Sequence, residues 1–116
     1  MTERIYTVEA LFAGADPTVR QIYDRILTEV ETIGPFTEVP RQNSVHLVHS
    51  VAFAGVHPRK SSVILSLRLD GPVESPRVHR TEHVSANRWH VEFKLSDPAE
   101  IDHELHTWLA AAMDLV

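Results

Sequence analysis

The chain has 116 residues, with 11 Lys and Arg against 16 Asp and Glu for a formal charge of -5, eight His and no Cys. That size predicts one domain over residues 1–116. The missing Cys excludes disulfides, thiolate metal sites and a Cys nucleophile, and fits a reducing, cytoplasmic setting. No apolar run nears the ~20 residues of a membrane span, and no apolar stretch follows Arg4 to make a signal peptide. The charge is segregated: residues 1–40 sum to -4, residues 41–94 to +4 and residues 95–116 to -5, with six of the eight His in the basic middle.

Thr7 to Ala13 reads as a short helical turn, with Thr7 as its N-cap and Gly14 beyond its end. Asp16-Pro17 starts a longer helix, with Asp16 expected to cap the free amides. Val19, Ile22, Tyr23, Ile26, Leu27, Val30 and Ile33 then follow a helical stripe to the Gly34-Pro35 stop. Val45 to Val56 is rich in β-branched residues, and a turn or bulge near Ser50 predicts two short strands. Pro58 to Ser61 is a turn. Val63, Leu65, Leu67 and Leu69 alternate with Ile64, Ser66 and Arg68, the pattern of a half-buried strand. Residues 70–87 carry little signal, and Val78 to Val84 is expected as a weak edge strand. Trp89, Val91, Phe93 and Leu95 alternate with Arg88, His90, Glu92 and Lys94 in a further strand, and Trp89 and Trp108 are expected to stack in the core. Asp97-Pro98, with Glu100 three residues after Asp97, opens a second helix with a capping-box spacing. Its buried stripe is Ile101, Leu105, Trp108, Leu109, Ala112 and Met113.

The implied fold is α+β: a helix, an antiparallel sheet of about four to five strands and a C-terminal helix. Both helices are expected on one face of the sheet. The other face would carry Ser66, Arg68, Arg88, His90 and Lys94 and stay wet.

Several segments in order resemble the domain-of-unknown-function family 5655. They are the helix ending in Ile33-Gly34, the stretch from Phe53 to Lys60 (FAGVHPRK), Leu65 to Leu69 with Pro76-Arg77 after it, Arg88-Trp89-His90, and Ala99 to Asp102 leading to Trp108-Leu109. Where members often carry a Lys or an aromatic pair at the start of the first strand, this chain has Asn43-Ser44-Val45-His46. The resemblance implies a small α+β module, found alone or beside other domains, and no reaction.

The basic middle is the place for a site. His57, Arg59 and Lys60 meet at one turn, and Arg77, Arg88 and His90 follow. These six are the candidate ligand residues, since Arg forks suit phosphate or carboxylate. No catalytic residue and no cofactor is assigned. A pI of about 5.9 speaks against nucleic acid as a general target. A small anionic ligand or a partner protein is the expected counterpart, with no membrane. The alternatives are a metal-dependent or His-based hydrolase built on His57, His90 or the Glu100/His103 pair, and a homodimerisation module. His103 and His106, three apart on the last helix, are otherwise surface His beside acids, and no metal site is assigned.

Overall fold

A computed structural model describes residues 5–116. Helix α1 (Val8–Phe12) starts as its sequence demands, with Thr7 Oγ1 accepting from the Ala10 amide at 3.1 Å. Helix α2 (Pro17–Glu31) begins at the Asp16-Pro17 signal, but Asp16 does not cap it. Its carboxylate instead accepts from Ser61 Oγ at 2.8 Å and lies 3.8 Å from Lys60 Nζ. Pro17 removes one of the free amides by itself, which leaves Asp16 available to anchor the distant turn. At the far end, a Cβ on Gly34 would lie 3.0 Å from Met113 Sδ. Glycine at this stop lets the C-terminal helix seat closely.

Six strands follow, not four or five: β1 (Thr37–Pro40), β2 (Val45–Val48), β3 (Ala52–Pro58), β4 (Val63–Leu69), β5 (Val78–Ser85) and β6 (Arg88–Leu95). Every pairing is antiparallel, and the sheet order is β1-β2-β3-β4-β6-β5. The expected break near Ser50 separates β2 from β3. The additional strand is β1, whose four residues end in Pro40. So short a run has no alternation to read, and pairing with β2 in the register Thr37↔Val48 to Pro40↔Val45 is what extends it.

The last helix also differs from expectation. Asp97 and Glu100 do form a capping box, but over a single 3-10 turn (Pro98–Glu100). Helix α3 (His103–Asp114) starts afresh, with Asp102 accepting from the Leu105 amide at 3.1 Å. Two start signals five residues apart thus make two elements.

One core joins Val19, Ile22, Tyr23, Ile26 and Val30 of α2 to Leu105, Leu109, Ala112 and Met113 of α3. It continues into Val63, Leu65, Leu67 and Leu69 of β4 and Val91, Phe93 and Leu95 of β6. Each fully buried aliphatic side chain of this kind contributes about 1.5–3 kcal/mol. Tyr23 is buried in this layer, and its hydroxyl donates to the Glu38 carboxylate on β1. Burial and that acceptor hold the phenol far above its ordinary value. Trp108 stacks on Phe93 with centroids 4.8 Å apart. Trp89 is only half-buried, and its ring lies flat on His83 at 3.8 Å.

Arg77 is the chief polar tie between the sheet and α3. Its Nη1 donates to Asp102 Oδ1 at 2.9 Å and Glu104 Oε1 at 3.0 Å, and its Nη2 to the Glu100 carbonyl at 2.6 Å. The guanidinium also lies 5.7 Å from the Trp108 ring centre. Asp102 is held below the ordinary carboxylate range, first by the Leu105 amide and then by Arg77. A carboxyl lowered in this way stabilises the fold above its unfolded value near 3.9, and that contribution is lost as pH falls through the folded value. Arg77→Ala is expected to cost about 1–2 kcal/mol in guanidinium unfolding at pH 7. It should also flatten the fall of stability below about pH 4. A variant as stable as the parent, with the same acid profile, would contradict the tie.

Candidate functional site on the open sheet face

The alternation that sends Leu65 and Leu67 to the helices sends Ser66 and Arg68 the other way. On that face the pairing register sets Gly55 beside Ser66 on one side and His46 on the other. The same register sets Arg68 beside His90, and Ser66 beside Glu92. Glycine and serine leave a depression among longer neighbours. A cavity of about 220 Å³ results, lined by His46, Ala52, Phe53, Ala54, Gly55, His57, Ser66, Arg68, Arg88 and His90. His57 leans back over the floor: its Nε2 would be 3.4 Å from a Cβ on Gly55, and His46 Cδ2 would be 4.0 Å from it. The register break between Leu47 and Val48 puts a bulge at the start of β3, beside the cavity.

Three of the six candidate residues meet here: His57, Arg88 and His90. The other three do not. Arg59 and Lys60 sit at the exposed tip of the β3–β4 turn, where Lys60 faces Asp16. Arg77 is spent on α3, as described above. Arg68 and His46 complete the cavity wall and were not among the six. Arg68 sits in the alternating run of β4, and its parity alone assigns it to the open face. His46 had no such signal, because its approach to His57 depends on the β2–β3 register.

Among the described residues no ion pair is made by a side chain of the cavity wall. Arg20, Arg25, Lys60, Arg77 and Arg80 each have a carboxylate within 4.0 Å. Among the described residues Arg41, Arg59, Arg68, Arg88 and Lys94 have none. Two of these five line the cavity. Arg88 Nε is moreover buried without any hydrogen-bond partner. A buried donor left unmade costs about 1–3 kcal/mol, more when charged. Glu92, set beside Ser66 by the register, lies 3.6 Å from Arg80 Nη1.

The acids and His of the C-terminal segment are differently placed. Glu100 accepts from the amides of Ser96 at 2.8 Å and Asp97 at 3.0 Å. Glu100 and His103 therefore do not share a helix, and the spacing read as a ligand pair belongs to a cap. His106 Nδ1 lies 3.2 Å from Glu29 Oε1 on α2. Among the described residues no three His, Asp or Glu side chains are grouped as a metal site would need.

His46 and His57 both titrate below the ordinary 6.5. Burial is the main cause in each case. Arg41 adds to it at His46, while at His57 Glu92 opposes it and His46 and Arg59 reinforce it. At neutral pH each ring is thus uncharged, offering one N–H and one lone pair. The unfolded chain takes up these protons before the folded one does. Stability therefore falls as pH drops from about 6.5 toward the folded values. Guanidinium unfolding at pH 7.5 and pH 5.5 should show this loss, and a double His46→Gln, His57→Gln variant should show a smaller one. An equal loss in both proteins would contradict the assignment.

No curated protein and no solved structure matches the chain. A family model does, over residues 8–116, from the first residue of α1 onward. The matched span contains every strand of the sheet and every residue of the cavity, so the chain belongs to the family described as Domain of unknown function (DUF5655).

Proposed function

We propose that this domain is a binding module that takes a small anionic ligand on the open face of its sheet. Arg68 and Arg88 would hold the anionic group, and His46, His57 and His90 would contact the remainder. The observation that carries this reading is the pair of arginines without carboxylate partners that line one cavity, one of them with a buried, unmatched Nε. An arginine that has no internal partner is a poor contributor to stability, and a planar fork matches phosphate or carboxylate well. The His46 and His57 imidazoles, held below the ordinary value by burial, add hydrogen-bonding capacity without further self-repulsion at pH 7.

Size narrows the ligand. At about 220 Å³ the cavity is smaller than the roughly 300–1,000 Å³ usual for drug-sized ligands. A phosphomonoester or carboxylate of metabolite size suits it. The net acidity of the flanking segments argues against a long polyanion.

The test is a thermal-shift panel of inorganic phosphate, phosphomonoesters and small carboxylates. At about 100 times Kd, one ligand should add about 2.7 kcal/mol, or roughly 10 °C in Tm. Arg68→Ala or Arg88→Ala should weaken binding roughly ten- to hundredfold, with little change in the stability of the ligand-free protein. Arg59→Ala with Lys60→Ala should leave affinity within about twofold. No shift with any compound would overturn the proposal, as would equal weakening by the turn variants. Recovery of the ligand unchanged fits a binding module, whereas released inorganic phosphate would favour the hydrolase alternative.

A further inference from the structure

Strand β5 stands at one edge of the sheet and is paired only with β6 among the described residues. It is exposed along almost its whole length, with seven of its eight residues open to solvent. No residue of β5 enters the buried core, and only Val78 packs against it. An uncovered edge of this length offers a row of unpaired backbone amides and carbonyls. Edges of soluble proteins are usually protected by charged side chains, by proline, by β-bulges or by a covering element. This one has no proline and no covering element, and its charges are of opposite sign, at Arg80 and Glu82.

The sequence of the edge reads Val78-His79-Arg80-Thr81-Glu82-His83-Val84. It is a palindrome about Thr81 in which one exchange, Arg80 for Glu82, replaces identity by opposite charge. Antiparallel pairing of the strand with itself about Thr81 sets Thr81 opposite Thr81. It also sets Arg80 opposite Glu82 twice. Opposite charges directly across an antiparallel pair stabilise it, and like charges there destabilise it. The side chains are free to change partner: Arg80 and Glu82 are both exposed, and Arg80 makes only long contacts, 3.7 Å to Glu82 of its own strand and 3.6 Å to Glu92.

We propose that the chain forms a two-fold dimer through β5, with Thr81 on the axis and Arg80 of each copy facing Glu82 of the other. The two sheets then join edge to edge into one. Register breaks beside His79 and Val84 bound the regular stretch of β5 to Arg80–His83. The ladder is therefore short, and its area falls below that of a standard stable interface. A dissociation constant of about 10–100 μM is expected, so the dimer forms and dissociates with concentration. It is independent of the proposed anion site, since no residue of β5 lines that cavity.

Sedimentation velocity across that concentration range tests it. Arg80→Glu alone, or Glu82→Arg alone, puts like charges across the axis and should weaken the dimer roughly tenfold or more. The double exchange, Arg80→Glu with Glu82→Arg, restores both pairs and should restore the dimer. The chain has no cysteine, so a single introduced one reports its own position. Thr81→Cys should cross-link on mild oxidation. Directly opposed residues have Cα atoms about 4.5–5.5 Å apart, within disulfide reach. His83→Cys should not, since the two copies of that residue are about 13 Å apart along the paired strands. A monomer at 1 mM, or a dimer indifferent to the single charge reversals, would overturn the proposal. So would a double exchange that fails to restore association, or equal cross-linking by the two cysteine variants.

Discussion

Along β4, Val63, Leu65, Leu67 and Leu69 all reach the helical layer, and a period of two then leaves Ser66 and Arg68 only the opposite face. Each neighbour inherits the division. β6 gives Val91, Phe93 and Leu95 to the core and turns His90, Glu92 and Lys94 outward. β3 gives Ala54 and Val56 to the core and leaves Gly55 and His57 above them. With both long helices committed to one side, the hydrophobic term that orders the core also fixes where the basic residues stand.

The open face would be an ordinary wet surface if its side chains were of one size. Gly55 and Ser66 make it concave, and His46, His57, Arg68, Arg88 and His90 surround the hollow. Several cations elsewhere are matched internally: Arg77 with Asp102 and Glu104, Arg25 with Glu29, Lys60 with Asp16. Those around the hollow are not. Stability gains little from two guanidiniums that line one hollow without acids, and residues of that kind are expected where a ligand supplies the missing charge.

Much of this was legible in the chain. The stripe from Val19 to Ile33 gave α2, the alternations of Val63–Leu69 and Trp89–Leu95 gave the central strands, and the parity of Ser66, Arg68 and His90 gave the open face. What was not legible depended on pairing. Thr37 to Pro40 is a strand because β2 lies beside it. Arg77 belonged by charge to the basic middle, yet its role is set by Asp102 and Glu104, 25 and 27 residues away. Asp16 has the sequence of a cap and acts as an anchor for Ser61, 45 residues on. Local chemistry names the group, and the fold decides its partner.

The most direct measurement is a ¹H–¹⁵N NMR titration of the uniformly labelled protein with inorganic phosphate and with a phosphomonoester. The account predicts saturable shifts confined to the amides of His46, Gly55, His57, Ser66, Arg68, Arg88 and His90 and to the Arg68 and Arg88 Nε–H signals, with Arg59, Lys60 and Arg77 unmoved. Shifts centred on the Pro58–Ser61 turn, or none at saturating concentrations of either compound, would contradict it.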